Sequence, residues 1–174
     1  MNKVNYRLFS GKYGARFEIR TLMRQTAKVF HVAVPKTAGL SAPELLKIYA
    51  KLTADAAMCA IKSGQDLKSL QKRLYRMACR LGSGARRWLR PKNEQDCLAI
   101  LTMLYRNLGI EIREEKPGEF CVYKCYFSSF YTPEICCVIS AIDKGIFAGI
   151  YAGGRLTFRQ RITEGKDVCW ANFR

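Results

Sequence analysis

The sequence predicts an α+β fold, with N-terminal helices followed by a β-β-α-β-β unit that forms a four-stranded antiparallel sheet. Three observations predict it. Apolar residues recur at three- to four-residue steps as far as Leu108, the spacing of amphipathic helices. After Gly109 the pattern changes to alternation in two closely spaced runs, which reads as a hairpin. A helical run opened by Pro133 then separates that hairpin from a second pair of short alternating runs.

The first helical stretch, 19–34, carries Ile19, Leu22, Met23, Thr26, Val29 and Phe30 on one face, and Pro35 and Gly39 end it. Residues 5–18 mix Tyr6, Phe9, Tyr13 and Phe17 with basic residues and read as a docking arm or short helix. Ser41-Ala42-Pro43-Glu44 is a capping box, in which hydroxyl and carboxylate satisfy each other's backbone donors. The helix it opens runs over about 42–63 and stops at Gly64, with Leu45, Ile48, Tyr49, Leu52 and Ala56 facing inward. Asp66 caps the next, whose stripe is Leu67, Leu70, Leu74, Met77, Ala78 and Leu81, and Gly82-Ser83-Gly84 is expected to break it. Asn93 starts a helix through Leu108 built on Cys97, Ile100, Leu101 and Leu104.

Strands are expected over 110–115 and 120–127, around the turn Lys116-Pro117-Gly118-Glu119. Pro133 suits the first turn of a helix that runs to about Tyr151. Strands over 155–163 and 167–173 complete the unit. The expected organisation is one domain, 1–174, with a helical part (1–109) and a sheet-forming part with a cysteine-rich pocket (110–174).

No run of 18 uncharged apolar residues occurs, and the charged first twenty residues lack the apolar core of a secretory signal. The expected location is the cytoplasm, where the eight cysteines stay reduced. Charge is divided unevenly. Residues 1–92 hold twenty Lys or Arg against Glu18, Glu44, Asp55 and Asp66, whereas residues 93–174 hold ten of each sign. The plain reading is a set of solvated helix faces. The alternative is a surface for nucleic acid or an anionic membrane, centred on Arg73, Arg76, Arg80, Arg86, Arg87 and Arg90 with Trp88, but no nucleic-acid motif accompanies it.

The candidate chemistry lies in the last third, which holds Cys121, Cys125, Cys136, Cys137 and Cys169. On the helix after Pro133, Ile135, Ile139, Ile142 and Ile146 form a core stripe, while Cys136, Ser140 and Asp143 share a second face. Cys137 turns away by about 100°. Cys136 also falls in the first helical turn, where free N–H groups favour a thiolate. Simple alternation puts Cys121, Tyr123, Cys125 and Phe127 on one side of their strand, and Cys169, Ala171 and Phe173 together on theirs with Trp170 opposite. A sheet face bearing Cys125 and Cys169 under a helix offering Cys136 and Asp143 would make a thiol-lined hollow. Free cysteines serve equally as small packing residues. His31, the only histidine, sits among apolar neighbours and reads as a half-buried packing residue. A Cys-His-Asp triad would have to recruit it from the N-terminal helices.

The segments Cys125-Tyr126-Phe127, Pro133-Glu134-Ile135-Cys136, Asp143 and Glu164-Gly165-Lys166-Asp167-Val168-Cys169-Trp170-Ala171-Asn172-Phe173 resemble the C-terminal signature of the L-2-amino-thiazoline-4-carboxylic acid hydrolase family. The resemblance covers about 50 of the 174 residues. It departs from the family pattern where Tyr126 replaces a proline, Ile135 replaces a leucine and Cys137 is extra. It implies hydrolysis of a C=N bond in a small cyclic substrate. Cys136 or Cys169 would be the nucleophile, with Cys125 beside them, and Asp143 the acid–base or orienting group. Arg159 or Arg161 would hold a substrate carboxylate.

The closing segment also resembles 4-vinyl reductase-type ligand-binding domains. That implies a non-catalytic alternative in which Tyr123, Phe127, Phe130, Tyr131 and Trp170 line a small-molecule pocket. The zinc site of some of those domains would need ligands near Phe158 and Arg161, which cannot bind metal. A different set from Cys125, Cys136, Cys137 and Cys169 stays open, although no C-x₂-C knuckle occurs. The expectation is therefore no metal and no cofactor, with a small-molecule substrate or ligand as partner.

Overall fold

The computed structural model describes residues 12–174, with side chains from Gly14 onward. Of the expected docking arm or short helix over 5–18, residues 5–11 lie outside the described residues, and 12–18 are helical and begin the first helix ahead of the expected start at Ile19. Five α-helices, α1 (Lys12–Phe30), α2 (Ala42–Lys62), α3 (Leu67–Leu89), α4 (Glu94–Asn107) and α5 (Pro133–Ile150), join four strands, β1 (Ile110–Lys116), β2 (Glu119–Cys125), β3 (Leu156–Gln160) and β4 (Cys169–Phe173). Short 3₁₀ turns occupy Tyr126–Ser129 and Ile162–Glu164. The sheet is antiparallel throughout, in the order β1-β2-β4-β3. This is the α+β architecture expected from the change of period at Gly109. Among the described residues no helix is long and apolar enough to cross a membrane.

Local chemistry explains most boundaries. Glu44 accepts from both the backbone and the hydroxyl of Ser41 (2.8 and 2.6 Å). Asp66 takes the N–H groups of Lys68 and Ser69, and Asn93 takes that of Asp96. Each relieves helix-terminal donors that would otherwise lack partners.

Two expectations are corrected. Gly82-Ser83-Gly84 does not end α3, which continues to Leu89. Gly82 is buried against the Ile146 carbonyl and Gly149 of α5, so its missing side chain admits a neighbouring helix rather than loosening its own. His31 is exposed rather than packed. It lies just beyond α1 in the left-handed region (φ 58°), and its Nε2 accepts a hydrogen bond from Arg73 (3.0 Å), since a guanidinium can only donate.

α5 is the central element. Ile135, Ile139, Ile142 and Ile146 are buried as the stripe required, and so is nearly every residue from Gly145 to Ile150. One flank packs on α3 through Gly145 and Gly149. The other reaches the sheet, where Phe147 meets Phe173 with ring centroids 5.4 Å apart.

The sheet is irregular at two places that matter for the site. Glu111 pairs with Lys124 and Ile112 with Val122, so Tyr123 is an extra residue in β2. Phe158 pairs with Ala171 and Gln160 with Trp170, so Arg159 is an extra residue in β3. A β-bulge of this kind reverses the facing of the residues beyond it. Cys125 and Arg161 thereby come to the inner, helix-covered face.

Candidate active site

The inner-face side chains gather around Asp143, midway along α5. Asp143 is half-buried. Tyr105, buried on α4, donates its hydroxyl to Asp143 Oδ1 (3.1 Å). Burial raises the Asp143 carboxyl to about 6, opposed by the Tyr105 hydrogen bond and the nearby Arg161 and Lys144. Desolvation is the first cause of that rise, so the carboxyl sits among packed side chains rather than on an open face.

Three thiols lie within reach of its charge. Cys125 ends β2 and its pKa is pushed to about 12, by burial first and with Asp143 adding to the rise. Cys136, two turns before Asp143, is pushed to about 11, again by burial first. Cys169 opens β4, accepts the Ile162 N–H on its sulfur (3.3 Å), and is also raised by burial. Asp143 thus bears on all three thiols, and burial keeps them in the neutral form. The expected thiolate at Cys136 is not formed. Its own N–H already bonds the Thr132 carbonyl (2.9 Å), the Thr132 hydroxyl takes that of Ile135, and desolvation outweighs any residual helix-terminal field.

Spacing adds a second constraint. Seven residues along a helix span about 10.5 Å, so Cys136 and Asp143 flank a gap and cannot exchange a proton directly. Between them Ser140 is buried, with its hydroxyl turned to the Cys137 carbonyl (3.0 Å). Cys137 itself is exposed, on the side of Gln71. No three His, Cys, Asp or Glu among the described residues are close enough to hold a metal ion, so the four-cysteine zinc set is not assembled.

The arginines separate. Arg161 is tucked in, with 14% of its side chain exposed and its guanidinium 5.2 Å from the centre of the Phe158 ring. It pairs with Glu164 (3.2 Å) and still lowers the pKa values of Asp143, Cys136 and Cys169. Its Nε is buried without a hydrogen-bond partner, and the neighbouring Thr163 hydroxyl lies against the Cys136 sulfur. An unsatisfied guanidinium donor close to Asp143 is a feature that a bound anionic group would relieve. Arg159, on its bulge, points outward to Glu119 (3.9 Å).

The aromatic residues divide in the same way. Trp170 and Tyr123 are on the outer face, Trp170 donating to Glu119 (3.1 Å) and Tyr123 to Glu115 (2.5 Å), so neither lines the recess. Phe127 is buried edge-on to Tyr49 (5.9 Å) and packed on Tyr131 (5.4 Å), whose hydroxyl meets that of Thr53 (2.6 Å). Phe127 and Tyr131 thus pack against Tyr49 and Thr53 of α2. Sequence reasoning misses Tyr105, whose one signal is a tyrosine in an otherwise aliphatic stripe.

These environments set an order of thiol reactivity. In native protein treated briefly with iodoacetamide at neutral pH, Cys59 and Cys137 are exposed and should alkylate first. Cys125, Cys136 and Cys169 should lag by about tenfold or more, because both access and thiolate fraction are low. Peptide mapping by mass spectrometry reads the order directly.

No family model matches the chain, and no curated protein matches it. Among solved structures, a similar chain is a trafficking protein particle complex subunit 3 from Naegleria fowleri, described as covalently bound to palmitic acid. It is 12% identical, the match covers 74% of this chain and 95% of that one, and the TM-score is 0.49. A likeness at that level carries no information on chemistry.

Proposed function

We propose that the chain hydrolyses the C=N bond of a small cyclic substrate carrying a carboxylate, with L-2-amino-thiazoline-4-carboxylate as the probe of choice, and that Asp143 is its proton-transfer group. The observation that supports this is the Asp143 carboxyl raised by burial to about 6, hydrogen-bonded by Tyr105 and within the field of Arg161 and of neutral thiols. A base with a pKa near the working pH is the effective kind.

In this reading Arg161 and Thr163 take the substrate carboxylate. Asp143 removes a proton from water as its oxygen bonds to the ring carbon of the C=N bond, and passes that proton to the ring nitrogen. The remaining hydroxyl proton then travels by way of Asp143 to the ring sulfur as the carbon–sulfur bond breaks. The product is N-carbamoyl-cysteine, balanced by one water. Cys125, Cys136 and Cys169 shape the cavity as uncharged walls. Neutral thiols fit a purely ligand-binding pocket equally well, and that second reading predicts binding without product.

Incubation with the thiazoline acid and detection of N-carbamoyl-cysteine tests the proposal. kcat/KM should rise with pH through about 6 and then level, because the base form of Asp143 is required. Asp143→Asn should abolish turnover, Arg161→Gln should mainly raise KM, and Cys136→Ala should retain measurable activity. Absence of turnover in the unaltered protein, or full turnover in Asp143→Asn, would sink the reading. Loss of all activity in a folded Cys136→Ala chain would move the attack from water to sulfur.

A further inference from the structure

A second region, remote in chemistry from the Asp143 recess, lies between α1 and α3. Two cavities adjoin there, with Arg80 and Leu81 lining both. The first, about 610 Å³, is walled by apolar groups that include Phe17, Leu22, Trp88, Leu104 and Ile146. Its one acid among the described residues, Glu18, is held by burial at a pKa of about 8 and is mostly uncharged at neutral pH, so it offers an anion little repulsion. The second, about 550 Å³, is lined by Lys28, His31, Arg73, Arg76 and Arg80, and no described acid joins them. Arg73 Nε is buried there without a partner. Both volumes fall within the roughly 300–1,000 Å³ typical of small-molecule sites.

An apolar chamber beside a cationic one is complementary to a molecule with an apolar chain and an anionic head. We infer that this groove binds an anionic amphiphile, its hydrocarbon chain between Phe17, Trp88 and Ile146 and its phosphate or carboxylate head among Lys28, Arg73, Arg76 and Arg80. The charge complementarity is local: the four cations line one chamber and make no ion pair among the described residues. A head group there would take up the unpaired Arg73 donor and disturb the Arg73–His31 contact.

The molecule supplies its own reporters and its own plug. His31 is the only histidine and marks the cationic end, and Trp88 marks the apolar end. Gly84 lines the apolar chamber, and a Cβ built on it meets nothing within 4 Å. Gly84→Leu therefore has room at its Cβ, projects into the chamber and also improves helix propensity. The full chain, carrying Trp170→Phe so that Trp88 alone fluoresces, is titrated with 1-oleoyl lysophosphatidate below its micelle concentration. Trp88 emission and the His31 ring resonances are followed together.

Both should shift saturably and with the same midpoint. Gly84→Leu, with an unchanged or raised Tm, and the exposed Arg76→Glu should each weaken binding by about tenfold or more, a change of roughly 1.4 kcal/mol. Monoolein and inorganic phosphate should each bind more weakly by a similar factor. Equal affinity for monoolein would reduce the groove to an apolar slot, and equal affinity for phosphate would reduce it to an anion site. Undiminished binding in Gly84→Leu would overturn the chain-in-chamber arrangement. Co-sedimentation with phosphatidylserine vesicles that Gly84→Leu leaves intact, without binding of the monomeric lipid, would assign the cations to a bilayer surface instead.

Discussion

A Gly149→Leu chain is expected to lose most of its folding stability, and Gly145→Leu nearly as much. α5 and α3 cross at a distance that only glycine permits. A Cβ on Gly149 would stand 2.5 Å from the Ser83 nitrogen and 2.8 Å from the Gly82 carbonyl carbon, and one on Gly145 would stand 2.7 Å from the Ala78 Cβ and 3.0 Å from the Cys79 nitrogen. These neighbours are mostly backbone, inside a helix, and cannot rotate away. Relief requires the two helices to separate, which opens voids along the most heavily buried element of the fold. Overpacking of a core commonly costs about 1–3 kcal/mol, and forced separation of a central helix belongs at or above the top of that range. Domains of this size hold only about 5–15 kcal/mol in total. Urea or thermal unfolding followed by circular dichroism measures the loss. Gly84→Leu is the matched control, since that glycine belongs to the same helix pair but faces open space. Equal stability of the Gly149→Leu and Gly84→Leu chains would mean that the crossing is not close.

The same glycines show where sequence reasoning reaches and where it stops. Caps at Ser41, Asp66 and Asn93, the Ile135–Ile146 stripe and the change of period at Gly109 are local signals, each a matter of a few neighbouring residues, and the structure obeys them. Gly82 carries the opposite meaning from its usual one, because whether a glycine breaks a helix or admits another depends on what lies across from it. The spacing of Gly145 and Gly149 by one turn in an apolar helix is the available hint.

The site is legible in membership more than in orientation. Cys125, Cys136, Asp143 and Cys169 do share one field, but Arg159 and Arg161, two apart, are bound to share a side under simple alternation. A single extra residue in β3 separates them, sending one to Glu119 and the other toward Asp143. A bulge of this sort in β2 takes Tyr123 away from Cys125. Bulges leave little trace in a hydrophobic pattern, because strand pairing across the sheet decides them. Thiol ionisation is misjudged for a related reason: helix position is visible in sequence, whereas desolvation by residues far along the chain is not.

Glu18→Gln is expected to stabilise the protein at alkaline pH and to leave it unchanged at low pH. Glu18 is 7% exposed on α1 and accepts a hydrogen bond from Asn107 (2.8 Å). Burial raises its carboxyl from 4.5 to about 8, against the lowering effect of Asn107. Proton binding sets the sign. Between pH 4.5 and 8 the unfolded chain has released this proton while the folded chain keeps it. Stability thus declines as pH rises across that window, by up to about 1.4 kcal/mol per unit, and is level on either side. Glutamine keeps the shape and the acceptor for Asn107 but has no proton to lose. At pH 9 the variant should exceed the parent by up to about 5 kcal/mol, equivalent to roughly 10–20 °C in Tm, and at pH 4 the two should coincide. Asp143→Asn should behave in the same sense with a smaller gain, lost below about pH 4, because its carboxyl is raised only from 3.8 to about 6. Measuring both variants across pH against the parent cancels the titration of every other group. A pH-independent difference for Glu18→Gln would mean that its carboxyl is solvated in the folded protein, and would return a negative charge to the apolar chamber between α1 and α3.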